Sequence, residues 1–338
     1  MLTTYSKGMH EMASEDRPRV SVITPVYNGE KYIAACIESV LAQTYANFEY
    51  IVVNNCSTDC TLAIANEYAR RDSRIRIVTN PSLLNVVQSH NKAFDVAPLE
   101  NKYIKIVGAD DWLFPNCLAE MVNLAEIHPT IAMVTSYVLV GSKIGWDGLP
   151  FPSNFVKGRD ICRRRLLDRM LVFGGPSASL LRTSAVKEQL PFYTVGNYHG
   201  DNDAYLRLLQ RHDFGFIHQV LSYNRRGEDS RTTHHLESFN SYMLMVVEEL
   251  VRFGPTYLTL PELEVRLKEA TDEYYKFLAQ AVFEFRGRKF WKAHFERLKT
   301  LGMPFNYTKF CRFILLRFLD IVLNPKRAVE SICRRILG

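Results

Sequence analysis

The strongest constraint on this chain is the alternation of apolar strand-like runs with helical spacing over its first half. Arg19-Val-Ser-Val-Ile-Thr24 reads as a short buried strand, ended by Pro25 and the turn pair Asn28-Gly29. Lys31 to Gln43 follows with Ile33, Ile37, Val40 and Leu41 on one side of a helix. Phe48 to Val53 is a second strand. The Ser57-Thr58-Asp59 of the polar loop after it can cap a helix running to about Arg71. Ile75 to Val78, a helix over about 87–96 and Tyr103 to Val107 continue the series. This spacing predicts an α/β fold: a mainly parallel sheet with helices on both faces. Such sheets take ligands beyond the carboxyl ends of their strands. Here those ends are polar: Thr24-Pro-Val-Tyr-Asn28, Asn54-Asn-Cys-Ser-Thr-Asp59 and Gly108-Ala-Asp-Asp111 should converge on one cleft.

Beyond Ile131 the pattern changes to strand-like runs at 132–140 and 177–181, a basic helix around 160–171 and a helix over 204–211. From about Leu236 the chain is helical, with breaks expected at Gly254-Pro255, Pro261, Pro304 and Pro325. The predicted organisation is a mobile polar leader over 1–17, an α/β unit over 18–235 and a helical region over 236–338. The 338 residues suffice for a sizeable core and a second, smaller unit. A net charge of +6, with no basic region interleaved with aromatics, argues against nucleic acid as a partner. Seven cysteines without metal spacing read as reduced thiols of a cytoplasmic protein. The leader lacks an apolar signal core, and no run reaches the roughly 20 apolar residues that span a bilayer.

Two features carry chemistry. Asp110 and Asp111 are adjacent at a strand end, where two carboxylates repel unless a cation sits beside them. Mg²⁺ with a diphosphate meets that need, since Mg²⁺ takes one or two carboxylates and fills its shell with phosphate and water. A solvated turn with helix-capping acids before Pro115 is the plainer reading. Asn54 and Asn55 offer amides that can pair with the edge of a base, and the plainer reading is a loop chosen for turn propensity.

Taken together, Val20-Ser-Val-Ile-Thr-Pro-Val-Tyr-Asn-Gly29, Ile51-Val-Val-Asn-Asn-Cys-Ser-Thr-Asp59 and Val107-Gly-Ala-Asp-Asp111 resemble the nucleotide-sugar-binding half of family 2 glycosyltransferases. These are inverting enzymes of the GT-A fold. The resemblance continues more loosely through Gly175–Ser179, Asp201–Leu208 and Val220–Arg226, and so covers about residues 18–235. It implies that Pro25, Val26 and Tyr27 cradle base and ribose with Asn28 nearby, and that Asn55, beside Asn54, bonds a pyrimidine edge. It implies that Asp110 holds Mg²⁺ or Mn²⁺ against the diphosphate, with Asp111 supporting that shell or reaching a ribose hydroxyl. Asp201 matches the general base, and Asp203 is the second candidate. In an inverting transfer one carboxylate takes the acceptor proton while another group neutralises the leaving diphosphate.

The implied reaction is metal-dependent, inverting transfer from a nucleoside-diphosphate sugar to a hydroxyl of a glycan or lipid-linked acceptor, in glycan or surface-polysaccharide synthesis. The alternative is a catalytically idle relative that binds nucleotide or glycan in an assembly. Several positions depart from the family pattern. Asn54-Asn55 replaces two aspartates, Gly108 replaces the first acid of Asp-x-Asp, and His90 replaces arginine. Ala93 and Asn85 replace glycines, the asparagine as a residue that tolerates a left-handed backbone, and Gly227 replaces histidine.

Other features stay open between a ligand role and a structural one. Trp112 can stack on sugar or be structural. Arg163-Arg-Arg165 and Arg169 can meet an anionic acceptor or form a solvated helix face, and His234-His235 can reach the metal or none. The segment 304–338 pairs seven basic residues with an apolar set, fitting a peripheral site on the inner face of the cytoplasmic membrane or a docking side of the catalytic unit.

Overall fold

The computed structural model describes residues 19–194, 200–225 and 242–324. The leader over 1–17, the boundary expected at 235/236, His234-His235, Gly227 and the break at Pro325 lie outside them. The chain divides into two compact units, Met1–Arg226 and Gly227–Gly338.

In chain order the first unit runs β1 (Val20–Val26), α1 (Ile33–Leu41), β2 (Phe48–Asn54), α2 (Thr61–Arg71), β3 (Ile75–Thr79), α3 (Val86–Asp95) and β4 (Tyr103–Ile106). It continues through β5 (Trp112–Leu113), α4 (Cys117–Ile127), β6 (Ile131–Val140), β7 (Lys143–Gly145), β8 (Phe155–Val156) and α5 (Gly158–Asp168). It closes with β9 (Leu180–Arg182), α6 (Thr183–Lys187), α7 (Gly200–Leu208) and β10 (Asp213–Asn224). One sheet results, ordered β3-β2-β1-β4-β9-β6-β10-β5, with β7 beside β6 and β8 beside β10. The first four strands are parallel, as are β6 and β10. The short strands β5, β7, β8 and β9 join antiparallel.

The apolar strands are buried on both faces, which is why they read as near-continuous runs. Val20, Val22 and Val26 of β1 and Tyr50 and Val52 of β2 join Ile33, Cys36, Ile37 and Val40 of α1 in one core. The intervening Ile23, Ile51 and Val53 are equally buried by the period-two rule, and α3 packs against these same strands.

The differences from the sequence reading are local. Residues 176–178 form a 3-10 turn, so the strand expected from Ser177 begins at Leu180. Helix α7 begins at Gly200, which places Asp201 and Asp203 in its first turn. Asn85 is not left-handed: at φ −70° and ψ 167° it caps α3, accepting from Gln88 N–H while the Gln88 side chain accepts from Asn85 N–H.

The second unit contains α8 (Tyr242–Tyr257), α9 (Leu260–Phe283), α10 (Arg288–Thr300) and α11 (Tyr307–Leu323). Gly254-Pro255 does not break α8. A Cβ on Gly254 would lie 2.3 Å from Leu263 Cδ1, so this glycine serves the approach of α9, and Leu258 N–H closes the last turn onto Gly254 O. Pro261 sits in the first turn of α9, where its missing N–H costs nothing.

Candidate functional site

The β1 and β2 tips meet directly. Asn28 adopts φ +51°, a conformation asparagine tolerates. Its N–H donates to Ser57 Oγ at 3.0 Å, and its side-chain oxygen accepts from Thr58 N–H at 2.8 Å. Pro25 and Val26 end β1 opposite Val53 and Asn54. Val26 belongs to the buried core, with its Cγ2 where a Cβ on Gly29 would stand, 2.7 Å away. Tyr27, next in the chain, is half-buried.

The asparagine pair is turned inward. Asn54 accepts from Ser57 N–H at 3.1 Å and fixes the turn. Asn55 is 3% exposed; its oxygen accepts from Asn80 Nδ2 and Leu84 N–H, both at 2.9 Å, and its Nδ2 donates to Leu84 O at 2.8 Å. In this structure Asn55 ties the 80–84 loop to β2, and one amide hydrogen remains for a ligand. Hydrogen bonds from Thr61 and from Glu30 N–H hold the Asp59 carboxyl below its ordinary range against the opposing effect of burial.

At the β4 tip the two adjacent acids part ways. Asp111 is 8% exposed and accepts from Ser177 Oγ (2.5 Å), Asn224 Nδ2 (3.2 Å) and Arg225 N–H (3.0 Å). Burial above all, with the Asp110 charge beside it, pushes its carboxyl up to about 7, while Ser177 and Arg225 work the other way. Asp110 keeps 38% of its side chain exposed, with Arg225 Nη2 at 3.3 Å from its Oδ2. The Arg225 guanidinium lies over the Tyr32 ring, 4.0 Å from its centroid. Trp112 stacks on Tyr223 at 3.8 Å and 10°, so a protein ring covers one of its faces.

The acids of α7 divide in the same manner. Asp203, 2% exposed, accepts from Thr194 Oγ1 at 3.0 Å and pairs with Arg207 Nε at 3.1 Å. Asp201 is half-buried and accepts from Asn202 N–H at 2.9 Å. Burial raises its carboxyl above the ordinary value, opposed by Asn202 N–H and by positive charge at Arg165 and His90. Arg165 is thus no part of a solvated helix face: it is 6% exposed, donates to Met170 O at 3.2 Å and stands 5.7 Å from the Phe173 centroid. Burial lowers the His90 ring, whose Nδ1 lies 2.9 Å from Val86 O.

The segment 175–179 links Asp111 to α7, the helix that carries Asp201 and Asp203. Ser177 Oγ holds Asp111 and accepts from Gly108 N–H at 2.9 Å, and Ser179 Oγ meets Tyr205 OH on α7 at 3.1 Å. Lys105, fully buried in β4, donates to Ser177 O at 2.8 Å and supports that bridge from beneath. Sequence reasoning assigned no role to Lys105, Ser177, Asn224 or Arg225. The signal available was the need of two adjacent carboxylates for donors and a cation. Among the described residues no group of three or more His, Cys, Asp or Glu side chains is placed to hold a metal by itself. The half-buried Asp110, paired through one oxygen with Arg225, keeps its other oxygen for a cation whose remaining ligands are phosphate and water.

The Glycosyl transferase family 2 profile matches residues 21–190, half of the 338-residue chain. This chain belongs to glycosyl transferase family 2. It is 32% identical over 161 residues to an uncharacterized glycosyltransferase of Haemophilus influenzae, the match covering 47% of this chain and 49% of that one. The chain thus spans about half the length of that relative. S. aureus TarS 1-349, solved in complex with UDP-GlcNAc, superimposes with a TM-score of 0.57 at 19% identity, covering 77% of this chain and 73% of that 1-349 chain. The mannosyltransferase PcManGT of Pyrobaculum calidifontis, solved with GDP-Man and Mn²⁺, gives 0.51 at 17% identity over 88% and 90% of the two chains. These likenesses bear out the GT-A fold that the motifs implied.

Against this family the glycine at 108 has a physical reason. A Cβ there would stand 2.8 Å from Asp111 Oδ2 and 3.3 Å from its Cγ. Asp111 is held by three donors, so a side chain at 108 would have to displace its carboxylate from that setting.

Proposed function

We propose that this protein transfers a sugar, with inversion, from a nucleoside-diphosphate sugar to an acceptor hydroxyl in glycan or surface-polysaccharide synthesis. The observation that carries the reading is the pairing of one engaged and one freer carboxylate at both Asp110–Asp111 and Asp201–Asp203, joined through Ser177, Ser179 and Tyr205. The loops of Tyr27, Asn28, Asn54 and Asn55 form the nucleotide side. Asp201 takes the proton of the attacking hydroxyl, and its raised affinity for protons suits it to do so. Asp203, committed to Arg207 and Thr194, positions α7. Asp110 holds Mg²⁺ or Mn²⁺, which when bound neutralises charge on the leaving diphosphate. Asp111 anchors Asn224 and Arg225 behind it. The solved neighbours, carrying UDP-GlcNAc in one case and GDP-Man with Mn²⁺ in the other, support a nucleotide-sugar donor.

The acceptor is a growing glycan or a lipid-linked one, and the reaction takes place in the cytoplasm. Among the described residues no helix is long and apolar enough to cross a membrane. A second reading, an idle nucleotide- or glycan-binding relative, is favoured by the inward-turned Asn54 and Asn55 and by the glycine at 108. Thermal shifts with UDP-, GDP- and dTDP-sugars, with and without Mn²⁺, separate the two when run beside a transfer assay. One donor should raise the melting temperature with Mn²⁺, and Asp110→Ala should remove the Mn²⁺-dependent part of that shift. A shift without transfer or hydrolysis of any donor supports the idle relative.

A further inference from the structure

Helix α11 is inverted. Its inner side carries the buried Phe313 and the charged groups: Lys309 pairs with Asp272 of α9 at 2.8 Å, Arg317 pairs with Asp320 at 2.5 Å, and Lys276 lies over the Phe313 ring. Its outer side is apolar. Leu315 is 58% exposed, Phe318 51%, Val322 55% and Leu323 73%, with Leu319 between them. At 100° per residue these positions fall within one broad face, joined by the exposed Cys311 and Arg312. A contiguous apolar face of this kind on a globular unit marks a contact surface.

We infer that this face of α11 lies in the interface of an anionic lipid bilayer. Charge selects that occupant. Lys309 and Arg317 are engaged by Asp272 and Asp320, but Arg312 lies on the face itself, and the sequence after α11 adds Lys326, Arg327, Arg334 and Arg335 against Glu330. A second copy would bring this excess of positive charge against itself, and the segment 325–338, basic as well, would set like charge beside Arg312. Anionic phosphates instead attract both the helix and the segment after it. The 17 residues of α11 measure about 25 Å, enough to lie along a surface with the leucines immersed among the acyl chains. The inference is independent of the sugar-transfer reading, because its test measures no catalysis.

The test is co-sedimentation of the full chain with vesicles of phosphatidylcholine alone and of phosphatidylcholine mixed with phosphatidylglycerol. The chain should pellet with the mixed vesicles, stay in solution with phosphatidylcholine, and be weakened by high salt. Leu315→Glu with Leu319→Glu should lower the partition coefficient by about tenfold per site or more. Both positions are solvent-facing, so the circular-dichroism melt of this variant should match the wild type; Arg312→Glu, which leaves the apolar face intact, should reduce binding to mixed vesicles alone. A wild-type chain that ignores the mixed vesicles overturns the inference, as does a folded double variant that binds them equally. A dimer split by the double variant without lipid binding assigns the face to a second copy. Lipid binding that appears only after deletion of residues 325–338 assigns it to that segment, and either result ends the membrane proposal.

Discussion

The asparagine tips and the acid pairs treat their polar groups in opposite ways. At the ends of β1 and β2, Asn28, Asn54 and Asn55 spend hydrogen-bonding capacity on neighbouring loops, building a rigid rim. At the end of β4 and the start of α7, one acid of each pair is bound from behind and the other is left more accessible. A buried carboxylate is expensive unless donors surround it, so Asp111 and Asp203 take the donors. Their partners Asp110 and Asp201 inherit a fixed position without a full shell. Within each pair one acid is held by donors and the other keeps the greater access to solvent.

That comparison breaks first at Asp201. Asp201→Asn should lower transfer by about 10²–10⁴-fold while leaving the nucleotide-dependent thermal shift intact; turnover at the wild-type rate would remove Asp201 from its role. Since the base must be ionised to act and its carboxyl is raised, wild-type kcat/KM should fall on acidification through a pKa above the ordinary aspartate value of 3.8, and a limb at or below that value contradicts the assignment. Asp203→Ala leaves Arg207 without its buried partner. With Arg207 partly exposed and still bonded to Gln189 and Phe192 O, the change should cost about 1.5–3 kcal/mol in urea unfolding, a loss that an acid with only a reactive role would not produce. Ser177→Ala removes one donor from Asp111 and should cost about 1.5 kcal/mol by the same measurement. An unfolding midpoint unchanged by that substitution would mean that the link from Asp111 to α7 carries no stability.

The sequence was most readable where local pattern decides. The four parallel strands and their helices follow from short-range periodicity, and the polar tips follow from the strand ends. What escaped notice depends on distant partners. Ser177 and Asp111 are 66 residues apart, and Arg225 and Asp110 are 115 apart, so no window along the chain reveals either bond. Arg165 read as a surface residue because its helix is basic, yet the fold places it near Asp201. Asn85 read as a left-handed residue because family glycines suggested one, and a capping role with Gln88 explains it better. Gly254-Pro255 read as a stop, whereas the glycine answers a side chain nine residues later.

The crowding at Gly108 also bears on how such a site changes through descent. An acid introduced there would crowd the carboxylate of Asp111, which would have to move to admit it. Relaxing Asp111 first would release Ser177, Asn224 and the Arg225 backbone together. An acid at 108 is therefore coupled, through Asp111, to residues far away in the chain, and its cost depends on how those three donors resettle.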